Sequence, residues 1–132
     1  MACVLAGSML FAGCGGGEKK AAAPKADGNK LIIYTSMKES LIKGIVTGFE
    51  KKNPGIKVDY QSAGAGKLMA KIAAERQSGK ILADVIWTSE VPDFYKMKKE
   101  GILANYKSPV FKEIVNPFDD YDGSFHAARL GT

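Results

Sequence analysis

Two hydrophobic spacings alternate along the chain after Lys30. The run "KLIIYTS", residues 30–36, is short, apolar and β-branched, the composition of a strand buried on both faces. It gives way to Leu41, Ile42, Ile45, Val46 and Phe49, which share one helical stripe. Ser36-x-x-Glu39 has the spacing of a capping box for that helix, and Asn53-Pro54-Gly55 stops it. "IKVDY" then alternates as a second strand, and Leu68, Met69 and Ile72 line a second helix that ends near Ser78-Gly79. "ADVIWT" reads as a third strand. Pro92 opens a third helix through Phe94, Tyr95, Met97 and Lys98, closed by Gly101. The order β-α-β-α-β-α predicts an α/β fold, a parallel sheet with flanking helices joined by right-handed crossovers.

Beyond Leu103 the pattern thins. "NYKSPVFKEIVNPFDDYDGSF" contains two prolines and an Asp122-Gly123 turn signal, which predicts a loop-rich excursion with one helical turn near Phe111 to Val115. "FHAARLGT" has the composition of one further strand. No internal repeat is present.

Before Lys30 the composition changes. "MACVLAGSMLFAGCGGG" carries no charge, and it is too short to span a bilayer but suits the core of a signal peptide. Phe11-Ala12-Gly13-Cys14 resembles the lipobox of bacterial lipoproteins, in which a peptidase cuts before a cysteine that receives lipid. Residues 1–13 are therefore expected to be a lipoprotein signal peptide. Cys14 is the expected lipidation site, and 14–30 a flexible tether, "GGGEKKAAAPKADGNK" following the cysteine. With Cys3 removed and Cys14 acylated, no thiol remains, which is compatible with an oxidising extracytoplasmic space.

The formal net charge of +5 changes this picture little. Four lysines against two acids put +2 before Leu31, leaving +3 on the rest. Those lysines are scattered on helix faces without arginine clusters or interleaved aromatics, so no nucleic-acid partner is expected.

Candidate chemistry centres on "AGAGKL". A phosphate-binding P-loop fails, because Gln61 stands where its first glycine belongs and Leu68 where its hydroxyl belongs. The dinucleotide fingerprint fails at Met69, where its third glycine belongs. A helix-opening turn remains, whose free N–H groups could face an anion. Ligands of an open parallel sheet bind outside the carboxyl ends of the strands. That rule selects Thr35 and Ser36 after the first strand, Ser62, Ala63, Gly64, Gly66 and Lys67 after the second, and Thr88, Ser89 and Glu90 after the third. Each has a structural alternative. Ser36 could serve as a helix cap, the glycines as turn formers, and Lys67 and Glu90 as solvated surface. His126 is the sole histidine and has no spaced partner for a metal. No Ser/His/Asp set or paired carboxylate motif is present, so neither catalysis nor a cofactor or resident metal is expected.

The motif set "YTS", "FEKKNPGIKV", "GKLMAKI" and "ADVIW" resembles the amino-terminal lobe of ABC-transporter solute-binding proteins, in the extracellular family-1 branch related to ferric-ion and phosphonate binders. The resemblance implies a periplasmic-binding-protein-like type II lobe over residues 31–132, incomplete and ending at the first hinge strand. It further implies capture of a small solute outside the cytoplasmic membrane, with ABC permease subunits as partners and the membrane reached through the lipid anchor. The three loops named above would supply the contacts. Met37 and Lys38 stand where some ferric members place histidine, which inclines the expectation toward an anionic or organic solute over bare iron. The competing expectation is a surface lipoprotein with a structural or interaction role and no functional pocket.

Overall fold

A computed structural model of the 132-residue chain describes residues 28–106, 108–109 and 123–127. Six elements alternate: β1 (Lys30–Thr35), α1 (Glu39–Lys52), β2 (Lys57–Ser62), α2 (Ala65–Gln77), β3 (Val85–Trp87) and α3 (Val91–Lys99). The strands form one parallel sheet in the order β2-β1-β3, so the expected α/β architecture is present and the apolar run of β1 is its centre. Ile33, Tyr34 and Thr35 are buried there, as a strand covered on both faces requires.

One face of the sheet packs against α2 and α3. Tyr34, Leu68, Ile72 and Met97 form a buried cluster, joined by Ile32, Ile86 and Phe94. Helix α1 supplies Ile42 and Val46 as its buried positions. Its predicted stripe is narrower than expected, because Leu41, Ile45 and Phe49 are 42%, 38% and 37% exposed. Both α2 and α3 end in paired bonds across a left-handed glycine. Lys80 N–H reaches Glu75 O while Gly79 N–H reaches Arg76 O; Ile102 N–H reaches Met97 O while Gly101 N–H reaches Lys98 O. Gly79 and Gly101 adopt φ +87° and +69°, so the helix stops read at those glycines have a backbone cause.

Three carboxylates accept main-chain N–H groups in β1, in β2 and in the loop before β3. Glu50 Oε1 accepts the N–H of Val58, Glu75 Oε2 that of Leu82, and Asp84 Oδ2 that of Ile32, at 2.9, 3.0 and 2.8 Å. Asp84 also donates its own N–H to Ile32 O at 2.9 Å. This makes β3 shorter than "ADVIWT" suggested, since the side chain of Asp84 takes the place of a main-chain acceptor before the ladder begins at Val85.

Two further sequence expectations need correction. The capping box does not form: α1 begins at Glu39 after Lys38, with no side-chain cap bond. Thr35 Oγ1 accepts the N–H of Met37 instead, so the chain turns on Thr35 and enters the helix four residues later, at Glu39. Phe125, His126 and Ala127 are irregular rather than extended. The rest of that expected strand, the turn near Phe111 to Val115 and the N-terminal segment through Asp27 lie outside the described residues.

Candidate functional site

The parallel register brings the three selected loops to one edge. Thr35 pairs with Ser62 on one side and with Trp87 on the other. Two inter-strand spacings of about 4.8 Å place the three strand ends within roughly 10 Å of one another. The ladder runs past the strands: Ala63 N–H donates to Thr35 O, and Ser36 N–H to Trp87 O, each at 3.1 Å. Ser62 Oγ donates to Met37 O at 2.6 Å, fixing the second loop against the first.

These bonds sort the predicted residues. Thr35 is fully buried and its hydroxyl is engaged by Met37, so it shapes the rim from beneath. The N–H groups of Ser36 and Ala63 are committed to the ladder. The Ser36 hydroxyl makes no hydrogen bond among the described residues. Gly64 has φ −57° and precedes the first residue of α2, and Gly66 lies inside the first helical turn. Neither takes a positive φ, so turn geometry does not demand these glycines. A Cβ at either would meet nothing within 4 Å, so what they contribute is bare backbone at the rim.

That helix end is open at its first two amides. Gly64 offers no side-chain cap, the first turn of α2 contains no acid, and Lys67 N–H and Leu68 N–H both fold back to Gly64 O. The N–H groups of Ala65 and Gly66 have no acceptor among the described residues. By contrast α1 carries Glu39, and α3 carries Asp93, in its first turn. The positive end of the helix dipole is therefore least neutralised at α2, where Lys67 is also exposed. On the third loop Thr88 Oγ1 is buried without a hydrogen-bond partner, while Ser89 Oγ donates to Glu90 Oε1 at 3.2 Å. The rim thus offers the Ser36 hydroxyl, the Glu90 carboxylate, the Lys67 ammonium and the free amides of Ala65 and Gly66. It has the chemistry to hold a small polar solute by hydrogen bonds.

Sequence reasoning missed the ordering role of Thr35 and the orphaned hydroxyl of Thr88, since both depend on which neighbour the sheet supplies. A surface depression lined by Arg76, Gly79, Lys80, Ile81, Gly101 and Ile102 lies at the opposite edge, where α2 and α3 end. Arg76 closes it by bonding both the carboxylate and the carbonyl of Glu100, so its cation is already neutralised. No group of three metal-ligating side chains occurs among the described residues. His126 Nε2 lies 3.1 Å from Tyr106 O.

Residues 34–131 match the model of the family described as bacterial extracellular solute-binding protein. The chain belongs to that family. Three solved solute-binding proteins share its fold. A substrate-binding protein of an ABC transporter from Agrobacterium tumefaciens is 29% identical, with a TM-score of 0.58 over 65% of this chain and 25% of that one. The ferric binding protein of Campylobacter jejuni is 26% identical, at 0.60, over 70% and 29%. Iron-bound HitA from Pseudomonas aeruginosa is 27% identical, at 0.60, over 71% and 30%. This family member therefore spans 25% to 30% of the length of those structures. No curated protein matches it. No helix among its described residues is long and apolar enough to cross a membrane.

Proposed function

We propose that this chain forms one wall of the solute cleft in the binding component of an ABC importer, held at the outer face of the cytoplasmic membrane. Residues 1–13 act as the lipoprotein signal, 14–30 as the tether from acylated Cys14, and 31–132 as the amino-terminal lobe. The solute is a small anion, phosphonate-like in charge and size, and the permease of the importer is the partner that receives it. The observation carrying this reading is the uncapped, acid-free start of α2, beside the hydroxyl-bearing loops after β1 and β3. An anion there gains the amides of Ala65 and Gly66 and the field of the helix end without displacing a capping carboxylate. One wall leaves the anion open to water on its far side, so affinity is weak, in the millimolar range that corresponds to about 4 kcal/mol.

The test is an amide-resolved NMR titration of the full chain with inorganic phosphate, methylphosphonate and ferric citrate. The expected result is saturable movement of Ala65, Gly66 and Ser89 amides by the two phosphorus anions. Movement confined to Arg76 and Lys80, or none at tens of millimolar, would overturn the assignment. Iron is the second reading, favoured by the two iron-associated solved relatives. Glu90 is the rim carboxylate for that case, and only the ferric arm should then respond, in a manner lost on Glu90→Gln. Mass spectrometry of the membrane fraction tests the acylation of Cys14.

A further inference from the structure

The exposed part of α1 remains without a role in the solute site. Leu41, Ile45 and Phe49 recur every four residues and lie 42%, 38% and 37% exposed along one line of the helix. Gly48 borders that line, and nothing stands within 4 Å of where its Cβ would be. The charges around the stripe have a consistent sign. Lys38 opens the helix at one end of the stripe; Lys52 closes it at the other, two turns beyond Ile45 and within roughly 20° of the stripe axis. Glu39 and Glu50 fall roughly 120° or more around the helix from Ile45, and Glu50 is turned onto the N–H of Val58. A second copy of the chain is a poor occupant, because antiparallel pairing about Ile45 sets Lys38 against Lys52 of the partner helix. An apolar stripe with a cation at each end instead complements a surface that is anionic outside and apolar just beneath.

We propose that the Leu41-Ile45-Phe49 face of α1, with Lys38 and Lys52, docks on an anionic phospholipid surface. Leu41, Ile45 and Phe49 lie on α1, outside the three rim loops, while Lys38 adjoins Met37, whose carbonyl accepts the Ser62 hydroxyl at the rim. The inference rests on the tethered reading only in that a short tether keeps the domain at high local concentration near the bilayer.

The measurement is co-sedimentation of the full chain carrying Cys14→Ser, which takes no lipid, with vesicles of phosphatidylcholine alone or mixed with phosphatidylglycerol. Binding should require the anionic lipid and should fall roughly fivefold per removed lysine in Lys38→Gln/Lys52→Gln. Ile45→Glu should reduce it at least as much, with an unchanged circular dichroism spectrum. Lys96→Gln/Lys99→Gln on α3 removes the same charge elsewhere and should leave binding nearly unchanged. Equal losses from the two lysine pairs, insensitivity to Ile45→Glu, or a dimer abolished by Ile45→Glu without vesicle binding would each overturn the proposal. Because the protein is unacylated in every arm, failure here is separable from failure of the lipoprotein reading.

Discussion

Tyr34 Oη donates to Glu75 Oε1 at 2.7 Å, joining the central strand to α2 beneath the loop that leads to β3. The same carboxylate meets Lys71 Nζ at 2.9 Å and the N–H of Leu82 at 3.0 Å, and Lys71 sits 5.2 Å from the Tyr34 ring centroid. One acid thus fixes a strand, a helix and a connection. Burial pushes the Glu75 carboxyl upward, but the Leu82 amide, the Tyr34 hydroxyl and the Lys71 ammonium outweigh it and hold the group below its ordinary 4.5. Burial, reinforced by Glu75, raises the Tyr34 phenol above 10.0 against the opposing ammonium.

The first prediction follows from the sign of that acid shift. A carboxyl depressed in the fold contributes stability that is complete above pH 4.5 and is lost as pH falls through its folded value. Urea midpoints measured from pH 7 downward should drop below about pH 4.5, and Glu75→Gln should flatten that limb. At pH 7 the variant should cost about 1–2 kcal/mol, since the amide keeps one acceptor but loses the charge. A raised phenol has the opposite window: stability declines as pH rises beyond 10, where the unfolded tyrosine ionises first.

Asp84 provides a second prediction at the start of β3. Its carboxylate replaces a main-chain acceptor for Ile32 N–H, so Asp84→Ala leaves that donor to solvent while Asp84→Asn can still accept. The alanine variant should lose about 1–2 kcal/mol and the asparagine variant less. Hydrogen exchange at the Ile32 amide should accelerate in Asp84→Ala. Unchanged exchange would mean that the bond contributes nothing to β1-β3 pairing.

Glycines give a third prediction with opposite signs at two positions. Gly66 lies in α2 with open space about it, so Gly66→Ala should stabilise the fold by about 0.5–1 kcal/mol. Gly101 holds φ +69°, so Gly101→Ala should destabilise it by about 1 kcal/mol. Thermal midpoints of the two variants therefore move apart. If the rim binds an anion through the Gly66 amide, the stabilised variant should also show a smaller phosphate response in the NMR titration.

Much of the fold was legible because local rules and tertiary demands agreed. The β-branched run before Tyr34 became the centre of the sheet, Pro92 stood at the start of α3, and Gly79 and Gly101 closed helices where the spacing placed them. Reading failed where a local signal met a nonlocal competitor. Ser36-x-x-Glu39 spelled a cap, yet the Ser36 amide was claimed by Trp87 and the turn was made by Thr35. The five-residue stripe of α1 buried only Ile42 and Val46, since periodicity states which positions share a face and not how much of that face the sheet covers.

The sequence by itself determined the alternation of strand and helix, the places where helices stop, and which loops follow the strands, because propensity, glycine conformation and hydrophobic period act over a few residues. Only the tertiary structure decided the order β2-β1-β3, which sets Thr35 between Ser62 and Trp87 and so gathers three distant loops at one rim. It also decided which amides at that rim are consumed by the ladder and which stay free at α2. Hydrogen-bond partners across the sheet are contributed by residues tens of positions away, and no local pattern encodes them.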